Sequence, residues 1–310
     1  MRIGIGIGEI GGQPAGISDL VAQAQRAERD GFHSGWFANI FGVDAITVAA
    51  LVGRETTRIE LGTAVVPTYP RHPFAMAQQA LTAQAATNGR FVLGIGLSHQ
   101  IVIETMLGMS FAKPFTHMQE YLAVLAPLIR SGSSSYHGTE FRVSANLTVT
   151  GAAPCPILLA ALAPRMLGLA GREADGTITW MTGPKTLREH TIPRLAAAAS
   201  AVGRASPRVV AGLPIAVTTD VVAARQLAGQ LFEIYGSLPS YRAMLDREGA
   251  AGPANVAIVG DEADVSGQLE RLAEIGVTDF LAAPYPVGPD PRASLERTRG
   301  VLVQMATRHR

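Results

Sequence analysis

The sequence predicts an α/β fold, and within that class a single (β/α)8 TIM barrel with an insertion, or lid, near strand seven. Apolar segments of strand length alternate with helical segments along the 310 residues, which is the order of a parallel sheet closed by crossover helices. Hydrophobic residues make up 47% of the chain and charged residues 16%, as expected of strands covered on both faces. No linker rich in proline, glycine and serine divides the chain, so we expect one domain over residues 1–310.

The stretch from Glu60 to His99 shows the alternation most clearly. Glu60–Val66 is apolar and β-branched at several positions, which predicts a buried strand. The predicted helix Phe74–Thr87 begins directly after a proline and ends at an Asn-Gly pair, and Phe91–Gly96 is the next strand. Because strands joined by a crossover helix run parallel, the loops after them lie at the same end of the sheet, where α/β proteins bind ligands.

Apolar runs bounded by turn residues predict the remaining strands. These are Arg2–Gly8, Ser34–Ala38, Ile157–Ala161, Gly176–Trp180, Arg208–Val217 and Asp279–Ala282. The segments between them predict helices. The first is capped by Ser18 and ends at Arg29, and the others are Ala45–Gly53, Phe115–Arg130, Pro164–Ala174, Pro184–Val202, Val221–Tyr235, Asp264–Ile275 and Arg292–Ala306. We expect Pro193 to kink or split the helix that contains it.

Three segments interrupt this alternation. Leu97–Pro114 is a long loop, and Ser131–Val149 is polar, with a small hairpin predicted at Tyr136–Phe141. Residues 236–260 contain prolines, glycines and a short helical piece at Tyr241–Glu248, and we interpret them as an insertion or lid over the mouth of the barrel. The long loop and the insertion are mostly apolar, which favours a neutral hydrophobic substrate over a polyanion.

Composition narrows the classes of partner and compartment. The formal net charge is +1 and the chain has no basic run, so we expect no nucleic-acid partner. Met1–Ile5 leads straight into a strand without the features of a signal peptide, and no apolar run reaches the length of a membrane span. We therefore expect a soluble, cytoplasmic protein without membrane contact. Cys155 is the only cysteine, so no internal disulfide is expected.

Several catalytic motifs are missing from the sequence. No two histidines form an H-x-H or H-E-x-x-H pair, so we expect no metal site. A G-x-S-x-G nucleophile elbow is absent. The glycines at positions 4, 6, 8, 11 and 12 contain no G-x-G-x-x-G followed directly by a helix, which disfavours a Rossmann dinucleotide site.

Two loops at the ligand-binding end carry candidate site residues. In the first, backbone N–H groups after the strand Phe91–Gly96 are placed to face a ligand. His99 is there either an exposed loop histidine or a donor of a proton or hydrogen bond to a bound ring. In the second, Ala160–Met166 joins small residues to a helix opened by a proline, and its free N–H groups form either a phosphate cradle or an ordinary helix start.

Two larger side chains near the same end of the sheet each have two possible roles. Trp180 ends its strand either as a core residue or as a wall for a flat ligand. Arg71, in the loop after Glu60–Val66, is either a structural ion-pair residue or a ligand contact.

Stretches along nearly the whole chain match a known family in the family's order. They are Gly31–Phe37, Leu61–Val65 with Pro67 and Arg71–Pro73, Gly89–Gly96, Pro164–Met166 with Leu169–Gly171 and Ala174–Gly176, and Gly276–Asp279. On these residues the chain resembles the bacterial luciferase-like monooxygenase superfamily, and more closely its branch that uses the deazaflavin coenzyme F420.

The resemblance implies where a cofactor lies. Its tricyclic ring is expected across the carboxyl ends of the barrel strands, backed by a bulge with a cis peptide bond at Ala64–Val65. The loop after the strand Phe91–Gly96 is expected to contact the ring, and the turn Ala161–Pro164 is expected to contact the cofactor phosphate. The implied cofactor-binding residues are Ala38, Asn39, Thr63, Ala64, Val65, Gly96, Leu97, Ser98, His99, Ala161, Leu162, Ala163, Pro164 and Trp180.

The chain departs from some relatives at the catalytic positions. Some relatives have an acidic residue and a histidine at the end of the strand that corresponds to Ser34–Ala38, where this sequence has Asn39 and Ile40. An acid that some relatives carry after the strand corresponding to Phe91–Gly96 is replaced by His99. We therefore expect His99 in a proton-related role and Asn39 in hydrogen bonding to the ring. Relatives commonly form homodimers through helices two and three, and the alanine-rich helix three suits such packing.

Three functions remain open from the sequence. The first is an oxidoreductase that moves a hydride between F420 and a small, neutral, apolar alkene, imine or carbonyl. The second is an FMN-dependent monooxygenase of the same superfamily. The third is a cofactor-binding protein without catalytic activity, since a barrel alone does not decide function.

Overall fold

The structure is a computed structural model that describes residues 1–8 and 15–308. Its strands are β1 Arg2–Ile7, β2 Ser34–Phe37, β3 Glu60–Thr63, β4 Val66–Pro67, β5 Phe91–Gly96, β6 Ser133–His137, β7 Arg142–Asn146, β8 Ile157–Leu159, β9 Gly176–Trp180, β10 Arg208–Val217, β11 Ile258–Gly260 and β12 Asp279–Pro284. Its α-helices are α1 Ile17–Arg29, α2 Ala45–Arg54, α3 Pro73–Ala86, α4 Pro114–Ser131, α5 Pro164–Glu173, α6 Pro184–Thr186, α7 Ile192–Ser200, α8 Val221–Leu231, α9 Glu233–Ser237, α10 Pro239–Glu248, α11 Glu262–Glu274 and α12 Pro291–Arg308. The glycines at positions 11 and 12 and His309 lie outside the described residues.

Parallel pairing closes the sheet into a barrel. The strands follow one another as β1, β2, β3, β5, β8, β9, β10 and β12, and β12 pairs with β1 again. Because each connection carries at least one helix on the outside, this is the predicted (β/α)8 barrel. The prediction of fold class is therefore confirmed.

Strand three differs from its prediction as one run over Glu60–Val66. It is interrupted between β3 and β4, which both pair with β5. Gly62 lies opposite Val92 and Val66 opposite Ile95, so one extra residue is accommodated on this side of the ladder. The peptide bond between Ala64 and Val65 within this bulge is cis, as the resemblance implied.

The amino-terminal end of the barrel is closed by a network of charged side chains. Arg208 on β10 lies 2.6 Å from the carboxylate of Asp279 on β12 and 2.5 Å from that of Glu60 on β3. Arg2 on β1 approaches the same two carboxylates at 3.4 and 3.3 Å. Four strands are thus linked at one level, and Asp279 is almost fully buried.

Above this network the barrel interior is filled by apolar side chains. The cluster comprises Trp36, Val92, Leu158, Ile178, Val210 and Leu281, with Ala64, Val65 and Ala160 packed against it. Trp36 takes the largest volume, and a Cβ on Gly62 would lie 2.3 Å from its ring. Glycine is therefore required at position 62, because the ring occupies the space of a side chain.

Several helices and loops depart from the sequence prediction. The predicted helix Pro184–Val202 is split, with a π-helical turn at Leu187–Thr191 and Pro193 in the first turn of α7. The predicted helix Val221–Tyr235 breaks at Phe232, whose ring packs on Trp180. The predicted loop Leu97–Pro114 contains a second π-helical turn at Val102–Met106. The predicted hairpin is longer than expected, formed by β6 and β7.

The predicted insertion, residues 236–260, contains regular structure. It holds α10, a 3₁₀ turn at Pro253–Asn255 and β11, which extends the sheet by pairing with the last residues of β10. Its role as a lid stays a prediction. None of the helices in the described ranges combines the length and apolar character needed to cross a membrane.

The charged network predicts a large loss of stability on removing its most buried carboxylate. Asp279→Ala leaves Arg208 with one fewer partner in a desolvated position, and we expect the free energy of unfolding to fall by about 3 kcal/mol. Urea unfolding followed by circular dichroism measures this. As a control, Glu296→Ala removes the exposed ion pair with Arg26 and is expected to cost less than about 1 kcal/mol. Equal losses for the two variants would contradict a stabilising role of the network.

Candidate active site

The carboxyl-terminal mouth of the barrel has a floor of small residues. It consists of Ala64, Val65, Gly96 and Ala160, from the ends of three neighbouring strands. A Cβ on Gly96 would lie 2.8 Å from Cγ2 of Val65 and 3.2 Å from Cβ of Ala160, so these residues adjoin. Ala64, Val65 and Ala160 are partly exposed. A flat ring can therefore approach the backbone here.

Thr63 holds this floor in place from within the barrel wall. Its side chain is fully buried, and its hydroxyl donates a hydrogen bond to the Gly94 carbonyl (2.8 Å) while accepting one from the Gly94 N–H (2.9 Å). A Cβ on Gly94 would lie 2.0 Å from the Thr63 carbonyl oxygen. The Thr63 hydroxyl thus has no hydrogen left to donate to a ligand. Among the predicted cofactor-binding residues, Thr63 supports the backbone of the floor.

Asn39 lies at the rim with half of its amide already engaged. Its Oδ1 accepts a hydrogen bond from the Ala45 N–H at 3.1 Å, at the start of α2. Asp44 caps the same helix by accepting from Thr47 N–H, and it forms an ion pair with Arg71. The Nδ2 of Asn39 is the group able to donate to a ligand, whereas the ion pair favours the structural interpretation of Arg71. Neighbouring Ala38 is buried.

His99 lies at the rim after β5. Leu97, Ser98 and His99 are partly exposed, and the His99 carbonyl accepts hydrogen bonds from the N–H groups of Val102 and Ile103, which starts a π-helical turn. Burial lowers the pKa of the His99 imidazole below its ordinary value. The ring is therefore neutral at pH 7, where it can donate one N–H hydrogen bond but holds no excess proton.

The turn Ala161–Pro164 leads into α5. Pro164 occupies the first helical position and no side chain caps the helix. The N–H groups of Ala163, Arg165 and Met166 have no hydrogen-bond partner within the described ranges. Free N–H groups at a helix start bind anions, so the turn fits a phosphate group.

A row of aromatic rings lies at the carboxyl-terminal end of the barrel, and sequence reasoning missed most of it. Its members are His99, Tyr241, Tyr235, Trp180, Phe232 and Tyr285, and successive ring centroids lie 5.1–6.1 Å apart. The aromatic row connects the ends of β5, β9 and β12 through the α8–α10 segment. Trp180 is partly exposed and packs against Phe232 and Tyr235, and its role as a wall for a ligand stays a prediction. The available signal was the concentration of Phe232, Tyr235 and Tyr241 in a chain with 6% aromatic residues.

A second group of rings surrounds a buried histidine beside the loop after β4. His117 on α4 stacks on Tyr69 with a centroid distance of 4.0 Å, and its Nε2 lies 3.0 Å from the Thr68 hydroxyl. Phe141 and Tyr121 pack against the same imidazole. Burial lowers the pKa of His117 to about 4.

No metal cluster accompanies these groups. The ranges 1–8 and 15–308 contain no set of three or more His, Cys, Asp or Glu side chains that could hold a metal ion. The arrangement thus offers a flat floor, an anion-binding turn and neutral hydrogen-bond donors.

His117 predicts a specific pH dependence of stability. Its pKa is about 4 when folded and about 6.5 in an unfolded chain, so stability is lost as the pH falls through this window. We expect His117→Gln to reduce the stability lost between pH 6.5 and 4.5 by about 2 kcal/mol. Urea unfolding across this range measures the slope, with His137→Gln on an exposed strand as the control. Parallel curves for wild type and His117→Gln would contradict the prediction.

Comparison with known proteins assigns the family. A model of the luciferase-like monooxygenase family matches residues 3–308. A protein of Mycobacterium tuberculosis (strain ATCC 25618 / H37Rv), provisionally named a coenzyme F420-dependent oxidoreductase, is 32% identical over 202 residues, which are 60% of this chain and 57% of that protein. The chain thus spans little more than half the length of that relative.

Solved structures share the fold. A coenzyme F420-dependent tetrahydromethanopterin reductase from Methanopyrus kandleri has a TM-score of 0.80 at 21% identity, with 99% of each chain covered. A riboflavin lyase with modified FMN and riboflavin has a TM-score of 0.76 at 15% identity, covering 98% of this chain and 92% of the other. Because the family match extends over nearly all of the sequence, the chain belongs to the luciferase-like monooxygenase family.

Proposed function

We propose that the protein is an oxidoreductase that transfers a hydride between the deazaflavin coenzyme F420 and a small, neutral, apolar substrate with an activated alkene, imine or carbonyl. The observation that carries the proposal is the floor of Ala64, Val65, Gly96 and Ala160 at the barrel mouth. The name of the relative from Mycobacterium tuberculosis supports the choice of F420.

Different residues at the mouth are proposed to bind different parts of the cofactor. The small-residue floor supports the ring, and the Nδ2 of Asn39 is available to hydrogen-bond its edge. The free N–H groups at Ala163, Arg165 and Met166 bind the phosphate. Trp180, Tyr235 and Tyr241 of the aromatic row are proposed to bound the opposite side of the mouth. When bound in its reduced form, F420 would supply the hydride, and the protein would supply its orientation towards the substrate.

His99 is proposed to act on the substrate rather than to store a proton. Its burial keeps the imidazole neutral, so it donates a hydrogen bond to the atom on which negative charge develops. Tyr241 lies against it, with ring centroids 5.6 Å apart, and burial raises the pKa of the Tyr241 hydroxyl well above its ordinary value. Both groups therefore remain hydrogen-bond donors throughout the neutral pH range.

The surroundings of the mouth support an apolar substrate. Exposed apolar side chains follow β2 and β5 at the ends of the barrel strands: Ile40, Phe41, Val43, Ile101, Met106, Leu107 and Met109. Together with the aromatic row they favour a flat, neutral molecule over a polyanion. His99 and Tyr241 are the donors that we assign to the substrate among the described residues, and a turnover experiment tests the non-catalytic alternative of a cofactor-binding protein.

FMN is the alternative cofactor, because the same floor accommodates either tricyclic ring. The neighbour solved with modified FMN favours this alternative. An FMN-dependent monooxygenase would consume oxygen, whereas hydride transfer from F420 would not.

We further propose a cytoplasmic homodimer, with α2 and the alanine-rich α3 at the interface. Leu51 on α2 is an exposed apolar residue suited to that contact.

Cofactor binding tests the floor directly. We expect the wild-type protein to bind F420 with a lower Kd than FMN or nicotinamide nucleotides in equilibrium titration. Ala160→Leu fills the floor and is expected to raise the Kd for F420 by at least about tenfold. Ala196→Leu makes the same replacement on the exposed surface of α7 and serves as the control. Tight binding of FMN without binding of F420 would reverse the choice of cofactor, and equal Kd values for both variants would exclude the floor.

Turnover tests His99. We expect His99→Ala to lower kcat for oxidation of reduced F420 by an enone at least about tenfold, because a donor at the developing charge is lost. The Kd for F420 should change less than about threefold, since Asn39 and the floor remain. His137→Ala is the matched control at an exposed position. Unchanged turnover in His99→Ala would remove His99 from the mechanism, and binding without turnover over a broad substrate panel would favour the non-catalytic alternative.

A further inference from the structure

A buried histidine lies directly behind the turn Ala161–Pro164. His190 is only 3% exposed and belongs to the π-helical turn Leu187–Thr191 between α6 and α7. Its Nε2 lies 2.7 Å from the carbonyl oxygen of Leu162, in the middle of the turn. Nothing in the sequence pattern indicated this contact, because the two residues are 28 positions apart.

The contact determines the tautomer of His190. A carbonyl oxygen only accepts hydrogen bonds, so the hydrogen must be on Nε2. Nδ1 is then a bare acceptor, and it is buried without a hydrogen-bond partner in the described part of the chain. Burial lowers the pKa of His190, and the nearby cations Arg247 and Arg194 act in the same direction, against the bond to Leu162. His190 is therefore a neutral donor with one fixed role.

Fixing the Leu162 carbonyl also fixes the next N–H group. The peptide between Leu162 and Ala163 is trans, so its C=O and N–H point in opposite directions. With the carbonyl turned towards His190, the Ala163 N–H faces away from it. Ala163 is exposed and its N–H has no partner within the described ranges. This N–H lies at the N-cap of α5, beside the free N–H groups of Arg165 and Met166.

We propose that His190 is a positioning residue for the phosphate of the cofactor: its hydrogen bond to Leu162 orients the Ala163 N–H as part of an anion-binding turn. The inference rests on the proposed function, in which that turn binds the phosphate. His190 does not touch the cofactor and acts only through the backbone of Leu162 and Ala163. The effect is therefore specific to ligands that carry the phosphate.

The test compares ligands with and without that phosphate. Kd values are measured for F420 and for the deazaflavin nucleoside that lacks the phosphate, and likewise for FMN and riboflavin. His190→Asn is too short for its amide to replace Nε2, and we expect it to weaken binding of the phosphorylated member about fivefold while leaving the phosphate-free member within twofold. His190→Gln places an amide donor near the position of Nε2 and is expected to restore the wild-type ratio.

Controls separate positioning from a loss of structure. Thr191→Val alters the neighbouring buried hydroxyl of the same π-helical turn and is expected to leave both Kd values unchanged. If His190→Asn fails to fold, His190→Leu provides a donor-free side chain of similar volume. If His190→Asn weakened binding of both members of a pair equally, or of neither, the positioning role of His190 would be overturned and the proposed function would stand. Absence of binding by either phosphorylated compound to the wild-type protein would overturn the proposed function as well.

Discussion

The double hydrogen bond between the Thr63 hydroxyl and the backbone of Gly94 is the contact on which the mouth of the barrel depends. The extra residue between β3 and β4 interrupts the ladder with β5, and the Thr63 side chain replaces the missing backbone bonds by serving both the N–H and the C=O of Gly94. A buried, unpaired backbone group is costly, so this replacement allows the bulge to persist. The bulge in turn exposes Ala64 and Val65 as a floor beside Gly96.

Below this floor, the side chains inside the barrel form two layers, one charged and one apolar. Charged side chains of β1, β3, β10 and β12 close the amino-terminal end, and Arg208 is held by two carboxylates. Trp36 and its apolar neighbours fill the middle, where a tryptophan compensates for glycine on adjacent strands. At the carboxyl-terminal end, the side chains of the floor are small. The stabilising layers and the candidate site are therefore separated along the barrel axis, which lets the mouth carry free polar groups.

The sequence predicted the barrel because its strands are apolar runs with clear boundaries, but it could not reveal features that depend on distant contacts. The residues of the bulge between β3 and β4 are as apolar as the strand around them, so the hydrophobic pattern predicted one continuous strand over Glu60–Val66. Only the family resemblance indicated a bulge at Ala64–Val65. The predicted residues Gly96–His99 and Ala161–Pro164 do lie at strand ends around the mouth. The aromatic row and the hydrogen bond from His190 to Leu162 join segments that are far apart in the chain. Local sequence patterns carry no information about such long-range contacts.

Two side-chain hydrogen-bond donors at the mouth, His99 and Tyr241, and the supporting His190 are uncharged near neutral pH. Burial keeps the imidazoles of His99 and His190 uncharged, and it keeps the Tyr241 hydroxyl protonated. In the proposed reaction, the anionic part of the cofactor meets backbone N–H groups, while the substrate meets neutral donors. A hydride delivered to a neutral acceptor generates negative charge that such donors stabilise in the transition state more than in the ground state, which is the condition for raising kcat. A fixed positive charge at the same place would instead favour anionic ground-state ligands, so a neutral site suits an apolar substrate.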